Sequence, residues 1–126
     1  MRKVRLAPEL RSALEARRLV EEELRPAGAG DDTLLHAQVV VTELVTNAAR
    51  HAHTPVDLTI SQGSGFFRIE ARDGSVALPI APAVDTPTRH RGVQLIEDLS
   101  QGWGVEATDT SGKIVWCEIA SKGLAR

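Results

Sequence analysis

The stretch Glu43-Leu44-Val45-Thr46-Asn47-Ala48-Ala49-Arg50-His51 decides how the rest of the chain is read. Taken as helix, it sets Glu43, Asn47 and His51 on one face at successive i, i+4 spacings, with Arg50 one step round. Leu44, Val45 and Ala48 fall toward a different face, which Leu34, Ala37 and Val41 extend backward. One helix thus carries an apolar stripe for packing and, beside it, a line of acid, amide and bases.

Outward from that helix, the chain reads as one domain. Its 126 residues suffice for one core but not two. The apolar fraction of 42% and charged fraction of 25% are ordinary for a globular protein. A formal charge of −2 argues against a dedicated nucleic-acid binder, although a local basic patch is compatible with it. Cys117 is the single cysteine, so no internal disulfide can form, which fits a reducing, cytoplasmic setting. No segment approaches the roughly 18 apolar residues that span a bilayer, so no membrane role is expected.

N-terminal to the central helix, Arg2 to Leu6 alternates as a short edge strand. Pro8 suits the first turn of a helix whose stripe is Leu10, Ala13, Leu14, Val20 and Leu24, ending at Pro26, Gly28 and Gly30. Asp31, Asp32 and Thr33 offer an N-cap and negative charge to the central helix, which should run to about His53 before Thr54-Pro55. Two alternating strands follow: Val56, Leu58 and Ile60, then Phe67, Ile69 and Ala71, about a hairpin turn at Gln62-Gly63-Ser64-Gly65. Asp73 to Arg91, broken by Gly74, Pro79, Pro82 and Pro87, has the length of a lid or binding loop. Gly92 to Ser100 has a short helical pattern, and strands at Trp103–Ala107 and Lys113–Ala120 close the chain, with Trp116 expected in the core. Helices early and strands late favour an α+β two-layer sandwich, with helices on one face of a mostly antiparallel mixed sheet.

Three places bear chemistry. In the central helix the amide oxygen of Asn47 is a hard ligand for Mg²⁺, and Glu43 can orient or deprotonate a hydroxyl attacking a phosphoryl group. Arg50 can neutralise a phosphate oxygen. An isolated E-x-x-x-N is equally an exposed polar helix face. At the mouth of the long loop, Asp73 can accept from the exocyclic amine of adenine while Gly74 admits the ring; alone, Asp-Gly is also a turn signal. Arg89-His90-Arg91-Gly92 leads into a helix start suited to an anion, or is a solvated basic loop. The histidines lack the partners of a metal site.

In their order along the chain, these segments resemble the GHKL (Bergerat-fold) ATPase domain, and most closely its stand-alone bacterial branch, the anti-sigma-factor serine kinases. Residues 43–51 are similar to the family's asparagine box, Arg72-Asp73-Gly74-Ser75 to its adenine-aspartate box, and Arg89 to Ile96 to its lid glycine box. Trp103-Gly104-Val105 and Gly112-Lys113-Ile114-Val115-Trp116 resemble its last two strands. The resemblance implies ATP and Mg²⁺ as cofactors, with Glu43 as general base and Asn47 as metal ligand. Arg50 would approach the phosphates, Asp73 and Gly74 would read adenine, and Arg91 and Gly92 would line the phosphate side. It also implies a sigma factor or an anti-sigma antagonist as partner, and homodimerisation.

Three departures accompany the resemblance. Ser75-Val76-Ala77 stands where a second adenine-box glycine is usual, His90 replaces a lid glycine, and Ile114 replaces a threonine that supports the aspartate through water. Two functions follow as expectations. One is a serine-kinase-type regulator with the Glu43/Asn47 pair intact; the other is a non-catalytic partner-switching protein of the same fold with weak or no nucleotide binding. A detached sensor-kinase ATP domain is disfavoured by the lack of a dimerisation helix pair.

Overall fold

The computed structural model describes residues 1–51, 54–74, 99–108 and 112–121. Strand β1 (Arg2–Leu6) is followed by helices α1 (Ser12–Leu24) and α2 (Asp31–His51). Strands β2 (Val56–Gly63), β3 (Phe66–Asp73), β4 (Gly102–Ala107) and β5 (Lys113–Ala120) complete the described elements. They form one five-stranded sheet in the order β1-β2-β3-β5-β4. Each pairing is antiparallel, so the expected mixed sheet has no parallel member among the described residues.

Alternation explains why one face of this sheet is dry. Val56, Leu58 and Ile60 of β2, Phe67, Ile69 and Ala71 of β3, and Val115, Cys117 and Ile119 of β5 are all buried. Against them lies the α2 stripe Leu34, Ala37, Val41, Leu44, Val45 and Ala48, each at most 5% exposed. α2 packs on β2, β3 and β5, and α1 packs on α2 and β2. The Cys117 thiol sits inside this core, where burial pushes its pKa up to about 12 and leaves it inert.

Helix α1 departs from expectation at its start. Leu10 precedes the helix and Leu14 is 68% exposed, so neither belongs to the packing stripe. The buried residues are Ser12, Ala13, Ala16, Leu19, Val20 and Leu24. Residues 7–11 form a turn instead, in which the Ser12 hydroxyl donates to the Ala7 carbonyl at 2.8 Å. The buried stripe of α1 therefore includes Ala16 and Leu19 in place of Leu10 and Leu14.

One tether ties α2 to the sheet, and a tight turn sets the β2–β3 register. Thr33 does not cap α2; it is 1% exposed, and its hydroxyl lies 3.2 Å from the carbonyls of both Ala120 and Ser121 at the end of β5. The β2–β3 hairpin closes through Ser64-Gly65, with Gly65 at φ +84. Beside it the Phe66 ring covers Gly63, where a Cβ would fall 2.2 Å from Cζ.

Trp116 also departs from expectation. It lies on the sheet face away from the helices, because the buried members of β5 are Lys113, Val115, Cys117 and Ile119. Its ring lies over Gly104, where a Cβ would come 2.8 Å from Nε1. The Arg68 guanidinium stacks 4.4 Å from the ring centroid and bonds Glu70 and Glu118 at 2.7 and 2.8 Å. Trp103 on β4 packs partly buried against the core.

Candidate functional site

Helix α2 presents the residues picked out from the sequence on its partly open side. Glu43 and Asn47 are half-buried and Arg50 is exposed, while the intervening Leu44, Val45, Ala48 and Ala49 are buried. The spacing therefore does what the helical period requires: one stripe is consumed by the core and the polar residues are left at its border. Desolvation raises the Glu43 carboxyl above its ordinary value, and the positive charge of Arg50 partly opposes that rise. A carboxylate so placed is a better proton acceptor than a solvated one.

The loop after α2 is clipped to the end of β3. The Gly74 N–H donates to the Thr54 hydroxyl at 2.8 Å, and a Cβ on Gly74 would meet the Thr54 side chain at 3.1 Å. This brings the turn carrying Asp73 and Gly74 beside the exit of α2, so the two boxes that lie apart in sequence become neighbours. Thr54 was read only as a stop signal; its role as a clip depends on a contact between residues twenty positions apart.

At the end of β3, Asp73 faces Lys113 directly across the β3–β5 ladder. The Lys113 Nζ lies 3.1 and 3.0 Å from the two carboxylate oxygens. Both side chains are almost fully buried, at 3% exposure for Asp73 and 6% for Lys113. Beyond them β3 and β5 approach so closely that a Cβ on Gly112 would fall 2.3 Å from the Asp73 carbonyl oxygen. The Gly112 N–H donates to the Thr108 hydroxyl at 2.9 Å, which holds the turn. A depression of ≈ 430 Å³ opens at this end, lined by Thr54, Pro55, Asp73, Gly74 and Gly112 together with Arg5, Asp57 and Arg72 from the sheet face away from the helices.

This geometry corrects one expectation. The residue beside Asp73 is Lys113, and Ile114 instead pairs with Arg72 on the other face of the sheet. Strand alternation puts only every second residue of β5 on the Asp73 side, so the support for that aspartate is an ammonium one position earlier than expected. Nothing in the sequence alone marked Lys113: a lysine after a turn glycine reads as solvated, and only the β3–β5 register buries it.

Arg91 and Gly92 of the lid box lie outside the described residues, as do Ser75-Val76-Ala77, His90, the long loop and the start of the following helix. So do His53 and the side chain of His51. Among the described residues, no group of three or more His, Cys, Asp or Glu is arranged to hold a metal ion. Asn47 still fits Mg²⁺ as a single hard-oxygen ligand, since that ion characteristically takes its other ligands from phosphates and water. No described helix is long and apolar enough to cross a membrane.

Residues 6–119 match the family model of the histidine kinase-like ATPase domain. The chain belongs to that family. Among solved structures it is similar to the RsbU and RsbW domains of a Mycobacterium tuberculosis protein, at 15% identity and a TM-score of 0.68. That match covers 99% of this chain but only 35% of the other. It is also similar to the catalytic domain of the histidine kinase ThkA, in two crystal forms at 16% and 18% identity. Each gives a TM-score of 0.57 and covers 98% of this chain and 100% of that one. At such identities the likeness is one of fold. No curated protein matches the chain. Membership of the family supports ATP binding.

Proposed function

We propose that the chain is an ATP-binding regulator of the anti-sigma serine-kinase type, acting in the cytoplasm on a serine of an anti-sigma antagonist and binding a sigma factor or related partner. The observation that carries this reading is the border of α2. There a desolvated Glu43 with its basicity raised lies on the same helix as Asn47 and Arg50, within a histidine kinase-like ATPase domain. In the reaction, the serine oxygen forms a bond to the γ-phosphorus while the bond to the β–γ bridging oxygen breaks and ADP leaves. The serine proton passes to Glu43, Arg50 offsets charge on the phosphate oxygens, and Asp73 with Gly74 holds the base. Arg91 and Gly92 complete the phosphate side. Asn47 would hold Mg²⁺, which when bound neutralises charge on the phosphates. Most of the acceleration comes from positioning and electrostatics.

The test is phosphate transfer from Mg-ATP to candidate antagonists, read as phosphoserine. Transfer by the wild type that a Glu43→Ala variant loses supports the reading. Absence of transfer to every antagonist, with Glu43→Ala indistinguishable from wild type in partner binding, refutes it.

The buried Asp73–Lys113 pair favours a second reading, a partner-switching protein of the same fold in which nucleotide binding is weak. A carboxylate already bonded to an ammonium is less available to an adenine amine. Calorimetry with ADP and ATP separates the two: micromolar binding that Asn47→Ala removes excludes the second.

A further inference from the structure

Among the described residues, the exposed large hydrophobic side chains are Met1 and three leucines of the helical layer: Leu10 at 58%, Leu14 at 68% and Leu35 at 55%. Single apolar side chains on a surface need no explanation, but several around one groove are the signature of an interaction site. Helices α1 and α2 are joined by residues 25–30 and pack side by side, so they run antiparallel. The Gln38 Nε2 donates to the Arg17 carbonyl at 3.4 Å, which fixes where the two helices meet on their outer side. Leu14 precedes Arg17 by about one turn, and is therefore level with Thr42, about one turn beyond Gln38. The leucines border one seam, with Leu10 and Leu14 on its α1 bank and Leu35 on its α2 bank.

Leu35 also begins a row that ends in the candidate site. Leu35, Val39, Glu43 and Asn47 follow one another at i, i+4, which on an α-helix is a single ridge. Its first half is apolar and open, with Leu35 exposed and Val39 half-buried; its second half carries the acid and the amide of the proposed phosphoryl transfer. We propose that this ridge and the facing α1 bank form the docking surface for the phosphoacceptor protein, which lays the apolar face of an amphipathic helix along the seam and so delivers its serine to Glu43. This rests on the kinase reading above. The shape favours a helix as occupant, because two antiparallel helices offer a groove into which the ridge of a third packs. Continuity with the site favours the phosphoacceptor, since Val39 lies one turn, about 5.4 Å along the helix, from Glu43. Charge narrows the occupant further. Arg11, Arg18 and Arg25 pair with Glu9, Glu22 and Glu21, whereas the exposed Arg17 has no ion-pair partner among the described residues. The docked helix therefore carries an acidic residue beside its apolar face, opposite Arg17.

The test uses the full chain and the antagonist that accepts phosphate in the transfer assay above, with steady-state rates measured against antagonist concentration. Leu35→Asp and Leu14→Asp should each raise KM for the antagonist about 10-fold or more, as for the loss of a central anchor, and leave kcat at saturation unchanged. Arg17→Glu should raise KM as well and weaken its dependence on salt. Arg18→Glu, on the side of α1 where Glu22 meets Arg2 of β1, should leave KM as it is. Calorimetric ADP binding should be the same in all four variants. Circular-dichroism melts establish that each is folded, and Leu35→Ala and Leu14→Ala, which add no charge, replace either leucine variant that is not. A wild-type KM in the leucine variants, or a fall in kcat with KM unchanged, overturns the proposal while the kinase reading stands. An effect of Arg18→Glu as large as that of Arg17→Glu overturns the assignment of an acidic helix to the seam. If no antagonist accepts phosphate from the wild type, the failure lies in the proposed function and takes this inference with it.

Discussion

Replacing Lys113 by methionine should be among the most damaging single changes on β5. Methionine keeps the length of the side chain and removes only the charge and donors. What is left is the Asp73 carboxylate, at 3% exposure and deprived of the ammonium that lay 3.0 Å away. Removing one partner of a buried pair costs about 3 to 5 kcal/mol, because the ammonium no longer offsets the desolvation of the buried carboxylate. For a domain of this size that corresponds to a fall in melting temperature of roughly 10 to 20 °C. Adding Asp73→Asn to Lys113→Met removes the stranded charge, so the double variant should recover much of the loss. Urea denaturation of wild type, both single variants and the double variant yields the coupling energy directly. A Lys113→Met variant within about 0.5 kcal/mol of wild type, or a double variant whose cost is the simple sum of the singles, would refute the buried pair as described.

Three further outcomes are expected. Glu43→Gln should stabilise the protein near neutral pH and have no effect in acid. The folded-state carboxyl is raised above its usual 4.5, so both states are protonated below that value and burial costs nothing; as pH climbs through the window above it, the wild type holds a desolvated charge that glutamine lacks. Melting curves from acid to neutral pH check the sign, and a variant that is less stable at pH 7 overturns it. Leu24→Ala should cost about 2 to 5 kcal/mol and Leu14→Ala less than about 0.5, since Leu24 is fully buried and Leu14 is 68% exposed; similar losses in urea would place α1 in the other rotation. Gly112→Ala drives a methyl onto the Asp73 carbonyl and should cost about 1 to 3 kcal/mol, measurable by chemical denaturation.

Much of this protein was legible before any coordinates. The α2 stripe and the alternating strands are set by local periodicity, and Leu34, Ala37, Val41, Leu44, Val45 and Ala48 are buried as their spacing demands. Glu43, Asn47 and Arg50 follow from the same period, because residues kept out of that stripe stay at the helix border. Other features depend on which strand lies beside which, and sequence spacing carries no such information. The buried stripe of α1 depended on the chain entering helix at Ser12 rather than at Pro8, after a turn in which the Ser12 hydroxyl bonds the Ala7 carbonyl. Trp116 looked like a core aromatic because it sits in an apolar run, yet strand parity and the space over Gly104 put it on the far face.

The central helix was thus determined by the sequence itself: 3.6-residue periodicity separates an apolar stripe from an acid, an amide and a base, whatever the helix later packs against. Lys113 was decided only by tertiary structure. The β3–β5 register sets its ammonium on a carboxylate forty residues away, converting a solvated lysine into a buried one and moving the support of Asp73 from Ile114 to its neighbour.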